Sequence, residues 1–451
     1  MMTYNKVTQG PIISTFFLFA FPALIALLAI TTASLVDGIF VGKYLGPQAL
    51  AAINILIPYI TFMFALGLMV AIGGTVTAGK FIGEGNYKEA NGIFTLSLIS
   101  IFLFATLMAI ISLFFNKSLF LFLGVDEQLA PLTQAYFQVI SVVLIIQLTT
   151  MVLYYFVRAD GFPTLATTAL VLGSIVNIML DVLFLGYFQW GIQSAAWATG
   201  IAQIIQLLVL CTFFTKKQRL IKFQLCYSSV KPYFRGLLNG ISEYINEISV
   251  GIVIFTIHWL LMKEQGNTAI SGFAVANYML FISMMLFYGI IDALHILVSQ
   301  NYGARNFTRI NQFMLLATVT VISISTLLIV SALSVSDSIT KLFIENTESD
   351  AYQLALSYIG VIWPCFIFSG INVLLSCYFT AMHCPLQSSI IALSRGLVLP
   401  VSLLLLFTNF IPSIPFLFAL PIAELSTFII ALTLYLRFQH SIKHKSKLIT
   451  I

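Results

Sequence analysis

Charge is scarce in this 451-residue chain, because Asp, Glu, Lys and Arg together make up only 8% of it. Soluble domains carry about 25% charged residues, and this shortage, with 60% hydrophobic residues, excludes a soluble globular protein. The five cysteines form no CxxC pair, so neither a disulfide framework nor a cysteine-based metal site is expected. There is no GxxxxGK[ST] motif, which excludes a built-in P-loop ATPase. The first apolar run lacks a small-residue cleavage site, so we expect a retained helix rather than a signal peptide.

Long apolar runs are what the sequence has instead. Each run lasts twenty residues or more, which is the length of a membrane-spanning helix, whereas barrel strands would show short alternating segments. We therefore predict an all-α integral membrane protein with twelve transmembrane helices. The predicted helices are 11–41, 49–79, 91–115, 131–157, 163–187, 191–215, 234–262, 267–300, 310–334, 350–382, 386–408 and 412–438.

The distribution of Lys and Arg predicts the orientation of these helices. With a cytoplasmic N-terminus, sixteen of the 21 basic residues fall in inside loops or termini and four in outside loops. Cytoplasmic loops of membrane proteins carry such an excess, so we expect both termini in the cytoplasm and a multi-pass protein of the cell inner membrane. The basic excess thus reports topology, and no nucleic-acid partner is expected.

Two motifs occur twice, at nearly the same spacing. "GEGNYKEANGIF" (83–94) aligns with "GARNFTRINQFM" (303–314), and "FVRADGFP" (156–163) aligns with "YFTAMHCP" (378–385). Six helices separate the copies, so the repeat is parallel, as in transporters with a substrate path between two halves. We predict two six-helix bundles, an N-lobe of residues 1–215 and a C-lobe of residues 234–451, joined by a cytoplasmic linker of residues 216–233. A duplicated channel or membrane enzyme would show the same repeat.

Polar residues inside the first half point to a cation site. At about 1.5 Å per helical residue, Asp37, Asn177, Asp181 and Thr199 all fall in the outer half of the bilayer. Asn177 and Asp181 are four residues apart and share one helix face. Two carboxylates, an amide and a hydroxyl at one depth can hold a shared proton or replace the oxygen shell of Na⁺. Each carboxylate taken alone could also be a solvated interfacial charge, and the hydroxyl a helix-packing group.

The second half carries its own charged residues inside predicted spans. Glu247 and Glu424 fall near the midplane, and Arg395 lies closer to the cytoplasm, where it could pair with an acid. Two interpretations stay open for Glu247, Glu424 and Arg395, namely a structural ion pair and contact with a substrate. Asp292 falls near the inner end of its helix and is interpreted as a gate residue or a solvated one.

Several motifs together resemble the multidrug and toxic compound extrusion (MATE) transporters, in particular the prokaryotic DinF-like and MepA-like branch. They are "DGIFVGKYLGPQALAAI" (37–53), "FIGEGNYKEAN" (81–91), "VRADGFP" (157–163), "NIMLDVLF" (177–184) and "NYGARN" (301–306). The resemblance extends over essentially the whole chain. It implies two six-helix lobes around a cleft that opens to either side in turn, and efflux of lipophilic cationic drugs driven by H⁺ or Na⁺.

The resemblance also implies roles for individual residues. The coupling site of DinF-like members matches Asp37, Asn177, Asp181 and Thr199, the same group that the depths bring together, and the helix-bending proline matches Pro22. No cofactor is implied beyond H⁺, or Na⁺ bound at this cluster. The implied partners are small drug-like cations and the lipid bilayer, and we expect a monomer.

Other functions compete with drug export. A lipid-linked saccharide flippase of the same superfamily would need extra helices or a strongly basic cavity, whereas Arg395 is the one intramembrane base that the sequence predicts. A membrane-embedded transferase would need a His/Asp or paired-Asp constellation at the membrane surface, and none is visible, so we expect no enzyme. The sequence thus favours an H⁺-coupled multidrug exporter, with Na⁺ coupling as the alternative.

Overall fold

The computed structural model describes residues 7–344, 346–411 and 414–449, and in these residues it contains helices and no β-strand. In the first half, the helix Pro163–Asp181 runs on into a π-helical turn, Val182–Tyr187, and the helix Ile192–Cys211 ends in a 3₁₀ turn, Thr212–Thr215. The helices of this half are α1 (Ile12–Leu45), α2 (Pro47–Asn54), α3 (Ile57–Gly83), α4 (Tyr87–Phe114), α5 (Asn116–Leu123), α6 (Ala130–Ala159), α7 (Pro163–Asp181) and α8 (Ile192–Cys211).

An irregular segment, residues 216–226, leads into the second half. There the segment Ile241–Gly303 consists of two helices divided at Gly266, whose φ of 71° and ψ of −160° are not helical. A π-helical turn, Ser394–Val398, joins the helix Pro385–Leu393 to the helix Leu399–Phe410. The helices are α9 (Val230–Asn239), α10 (Ile241–Gly303), α11 (Phe307–Ser334), α12 (Ser336–Phe343), α13 (Asp350–Ile362), α14 (Cys365–Ala381), α15 (Pro385–Leu393), α16 (Leu399–Phe410) and α17 (Ala419–Ile449).

The helices are long and apolar enough to cross a membrane. Of the described residues, eleven segments meet this condition, and the pair α13 and α14, bent by 52° at its junction, forms a twelfth span. A helix satisfies its backbone hydrogen bonds internally, which is why such runs can cross lipid, where no water is available to bond exposed backbone groups. The predicted all-α membrane fold with twelve spans is therefore confirmed.

Several helix boundaries differ from the predicted ones. The first helix continues to Leu45, where Gly46 with φ 85° and then Pro47 end it. The predicted helix 350–382 is broken, since Pro364 at the junction has no N–H to continue the ladder. The predicted start of the helix 412–438 falls on residues 412–413, which lie outside the described residues.

The internal repeat is visible in the backbone. Asn86 and Asn306, at matching motif positions, each cap a helix, and their side-chain oxygens accept from Glu89 N and Arg309 N, both at 3.3 Å. The residue before each cap is left-handed, with φ 75° at Gly85 and φ 55° at Arg305. The two copies of the motif therefore fold into the same turn and the same capped helix start.

Two glycines of the repeated motif permit a close helix crossing between α3 and the end of α10. A Cβ at Gly83 would lie 2.0 Å from the backbone oxygen of Gln300, and one at Gly303 would lie 2.0 Å from that of Lys80. No side chain fits at such distances. Each copy of the motif thus contributes the small residue that the other copy's helix needs in order to approach.

Contacts divide the described chain into two compact units. The first unit holds residues 7–244 and 295–310, and the second holds the other described residues. Each unit has an apolar core of its own, which includes Phe137 and Phe156 in the first and Phe273 and Phe366 in the second. The predicted lobe boundaries, 1–215 and 234–451, stay a prediction.

The segment between the halves is bound to the first unit by side chains of α4 and of the α6–α7 turn. Asp160, which is buried, accepts hydrogen bonds from Leu220 N at 2.9 Å and Ile221 N at 3.4 Å. Asn91 accepts from Lys222 N at 2.8 Å, and further contacts follow along α4. Burial raises the pKa of Asp160 to about 7, against the opposing effects of these N–H groups and the positive charge of Arg219.

Candidate functional site

The four predicted coupling residues lie on three helices that pack against one another in the first unit. Asp37 is on α1, Asn177 and Asp181 are on α7, and Thr199 is on α8. α7 packs along both α1 and α8. Asp37 and Asp181 lie close enough for the charge of one to act on the other. The structure therefore brings the two carboxylates into one electrostatic site.

Several buried polar atoms of this site have no hydrogen-bond partner among the described residues. Asp181 is fully buried, and neither of its side-chain oxygens is bonded. The same holds for Asp37 Oδ1 and for Asn177 Nδ2. A buried polar group without a hydrogen bond costs about 1–3 kcal/mol, and a charged one costs more. A proton or a cation bound by these oxygens would offset that cost.

Thr199 contacts its own helix. Its hydroxyl donates to the Ala195 carbonyl at 3.2 Å, a long bond that leaves the hydroxyl oxygen as an acceptor. Carboxylate, amide and hydroxyl oxygens are ligands that suit a hard cation. Within the described residues no group of three or more His, Cys, Asp or Glu side chains is placed to hold a metal ion.

Tyr136 belongs to this site and was missed in the sequence. It lies on α6, is 5% exposed, and interacts electrostatically with both Asp37 and Asp181. Sequence reasoning passed over it because aromatic residues make up 14% of the chain, so one more tyrosine in a span carries no signal. The number of residues between α4 and α6 also does not indicate which face of α6 is turned towards α1 and α7.

Two features of α1 and α7 bear on how these helices could move, a proline inside α1 and a π-helical turn directly after Asp181. Pro22 lies inside α1, where it offers no N–H to the preceding turn, and its carbonyl accepts a 2.8 Å hydrogen bond from the Thr167 hydroxyl of α7. Directly after Asp181, α7 changes into the π-helical turn Val182–Tyr187. Such turns are frequent at functional sites. The segment of α1 beyond Pro22 is about 22 Å long up to Asp37.

Comparison with known proteins decides the family. A family model described as MatE matches the chain twice, over residues 22–183 and 245–407. The chain belongs to the MATE family. The two matches fall on the two copies of the internal repeat, so each half of the chain is one MatE unit. The predicted resemblance to this family is confirmed.

Individual relatives agree with this assignment. The chain is similar to "Multidrug export protein MepA" of Staphylococcus saprophyticus, with 19% identity over 385 residues, which are 84% of each chain. It is also similar to a "FAD transporter" of Shewanella oneidensis, with 24% identity over 437 residues, which are 94% of each chain. A solved outward-facing MATE multidrug resistance transporter superposes with a TM-score of 0.88 at 20% identity, covering 98% of both chains. This last likeness shows the fold.

In the second unit of this MATE-family chain, two of the predicted charged residues form an ion pair. Arg395 Nε donates to Glu424 Oε1 at 3.1 Å, and the side chains are 13% and 14% exposed. Asn372, which the sequence did not suggest, donates to Glu424 Oε2 at 2.6 Å. An Asn in an apolar helix has many packing roles, so only the three-dimensional contact identifies it.

The other two predicted acids of the second unit both lie on α10. Glu247 and Asp292 are half-buried, and each has an interaction partner. In the first unit, Glu243 lies 3.7 Å from His295 Nε2, and both residues are buried. Substrate contact or ion pairing by Glu247, and a gate or solvated position for Asp292, stay predictions.

Proposed function

We propose that this MATE-family protein is a secondary active exporter that exchanges H⁺ for lipophilic cationic drugs by alternating access. One observation supports the proposal above the others, namely the interacting carboxylates of Asp37 and Asp181, whose oxygens Asp37 Oδ1, Asp181 Oδ1 and Asp181 Oδ2 have no hydrogen-bond partner among the described residues. Acids inside a membrane span are costly and usually functional. The name of the MepA relative, a multidrug exporter, supports a drug-like substrate.

The shared acid site accounts for coupling in this proposal. When Asp37 and Asp181 are both ionised, they repel each other across the α1–α7 pair; one proton from the outside removes that repulsion. The outer part of α1 then moves against α7, pivoting at Pro22, where the Thr167 hydroxyl holds the inner part. Drug leaves as the first lobe closes, and proton release to the cytoplasm resets it. Each ligand must favour a different conformation for exchange to be obligatory.

Sodium coupling is the alternative that the same residues support. Asp37, Asp181, Asn177 and Thr199 supply oxygen ligands alone, and Na⁺ binds to such sets. The ion would take the place of the proton at the same carboxylates. In both cases the protein lies in the cell inner membrane with both termini in the cytoplasm, and it works as a monomer without a cofactor.

Ethidium efflux from proteoliposomes, driven in turn by an imposed pH gradient and an imposed Na⁺ gradient, tests the proposal. We expect efflux with the pH gradient, its loss in Asp37→Asn and in Asp181→Asn, and normal efflux in Glu127→Gln, which alters an exposed acid of the same unit. Efflux that responds to Na⁺ alone would keep the site and reassign the ion. Normal efflux by both Asn variants at equal protein content would refute the coupling role.

A further inference from the structure

The ion pair of the second unit lies where a charge is expensive. Arg395 is ten residues beyond the start of α15 at Pro385, about 15 Å into the span. An arginine near the centre of a transmembrane helix is costly to insert. If the ion pair were wholly structural, a bidentate contact would offset most of this cost, because two N–H groups of the guanidinium would then donate to the two carboxylate oxygens.

The observed contact is one-sided. Arg395 donates to Glu424 through Nε, while the second carboxylate oxygen is taken by Asn372 Nδ2. On the other side, Arg395 Nη2 faces the thioether sulfur of Met284 at 2.8 Å, and the Tyr288 hydroxyl is a further hydrogen-bond partner. A thioether is a weak acceptor for a guanidinium N–H. The Nη2 donor of Arg395 therefore has a weak acceptor in the Met284 sulfur, whereas both oxygens of Glu424 have strong donors.

This asymmetry indicates the charge of a ligand. A cation would have to displace Arg395 or Asn372 from an already bonded carboxylate. An oxyanion can replace the Met284 sulfur and accept N–H bonds from the guanidinium, and the Tyr288 hydroxyl can turn to donate to it. Glu424 keeps Asn372 as a donor when Arg395 turns towards such a ligand, so the exchange leaves no bare carboxylate.

The backbone also holds Arg395 at a fixed and partly open position. Arg395 lies in the π-helical turn Ser394–Val398, and such turns are frequent at functional sites. Its neighbour Gly396 packs so closely on α10 that a Cβ there would be 2.9 Å from the Ser249 Cβ. Arg395 and Glu424 nevertheless stay 13% and 14% exposed, which leaves the guanidinium within reach of a ligand.

We propose that Arg395, supported by Glu424 and Asn372, forms a binding site for the carboxylate or phosphate group of an amphiphilic molecule. The oxyanion accepts hydrogen bonds from the Nη side of Arg395. The molecule is either a transported anion or zwitterion, or an anionic lipid whose headgroup reaches the site. Binding at this site does not depend on the proposed H⁺ exchange, because it concerns other residues and is measured without transport.

Binding of decyl phosphate to the purified protein in phosphatidylcholine nanodiscs tests the inference, with decyltrimethylammonium as the cationic counterpart. We expect the double variant Arg395→Gln/Glu424→Gln to bind decyl phosphate at least tenfold more weakly, with decyltrimethylammonium binding unchanged. The exposed pair Asp337 and Lys341, 2.6 Å apart, gives the matched control, and Asp337→Asn/Lys341→Gln is expected to bind both probes like the wild type.

Arg395→Lys keeps the charge and the pairing with Glu424 but loses the planar fork, so it covers the case in which the double variant does not fold. It is also expected to weaken decyl phosphate binding, with an unchanged melting temperature. Wild-type binding of decyl phosphate by either folded variant would overturn the site. Nanodiscs with phosphatidylglycerol separate the sources, because loss of decyl phosphate binding there identifies a lipid headgroup and retention identifies a soluble anion; either result supports an oxyanion site.

Discussion

The buried carboxylate of Asp160 should make the stability of the protein depend on pH in an unusual direction. Burial raises its pKa from the ordinary 3.8 to about 7, so the folded protein holds this proton more tightly than the unfolded chain does. The resulting stability is fully present below pH 3.8 and is lost as the pH rises through about 7. Most buried aspartates in ion pairs behave in the opposite way.

The size of the effect follows from the pKa. A change of the pKa from 3.8 to about 7 corresponds, as an upper estimate, to a difference of about 4 kcal/mol in the free energy of unfolding between low and high pH. Asp160→Asn removes the ionisation and keeps one oxygen as acceptor for Leu220 N, whereas its amide NH₂ faces Ile221 N and loses that bond, at a cost of about 1 kcal/mol. The variant is therefore expected to be less stable than the wild type near pH 5 and equal or more stable near pH 8.

Thermal unfolding of both proteins in detergent from pH 4.5 to 8.5, in steps of about half a unit across the predicted window, measures this difference. Hydrogen exchange of residues 219–224 reports whether the linker segment responds with it. Asp126→Asn, which removes an exposed acid of the same unit, is expected to run parallel to the wild type. If the stability of the wild type minus that of Asp160→Asn stays constant or grows as the pH rises, the reasoning is refuted.

Three further predictions concern the helix packing and the repeat. Gly83→Ala is expected to lower the free energy of unfolding by about 2 kcal/mol or to abolish folding, since its Cβ would meet the Gln300 oxygen. In the same melting assay Gly360→Ala should be neutral, because a Cβ there would meet nothing within 4 Å. Thr167→Val removes the 2.8 Å bond to the Pro22 carbonyl and should cost about 1 kcal/mol and slow ethidium efflux; unchanged melting and efflux would contradict the pivot. Arg305→Gly relieves a φ of 55° and should stabilise by about 1 kcal/mol, measured by denaturation, with a loss of stability counting against it.

Much of the fold could be predicted because the relevant signal is local in the sequence. Apolar runs of span length gave twelve helices, and the motifs at Gly83 and Gly303 marked a duplication that the capped turns at Asn86 and Asn306 reproduce. The division at Gly266 falls within the gap between the predicted helices 234–262 and 267–300, whereas the break at Pro364 inside the predicted helix 350–382 was not predicted. Whether a proline breaks a helix depends on its surroundings in three dimensions, since Pro22 lies within the intact helix α1.

The candidate site was most predictable in its rare charged residues. Asp37, Asp181 and Arg395 stand out because acids and bases are scarce in apolar helices. Tyr136 and Asn372 do not stand out, since hydroxyls and amides within spans are common, and their roles come from the helix faces that pack together. Depth along a helix can be counted from the sequence, whereas the rotation of each helix about its axis cannot.

Proton counting on drug binding tests the central claim most directly. With purified protein in weakly buffered nanodiscs at pH 7 and a pH indicator, ethidium should displace on the order of one proton from the wild type, because the two ligands favour different conformations. Asp37→Asn and Asp181→Asn should release none, while Glu127→Gln should match the wild type. Proton release that persists in both Asn variants, or its absence in the wild type, would contradict a proton shared between Asp37 and Asp181.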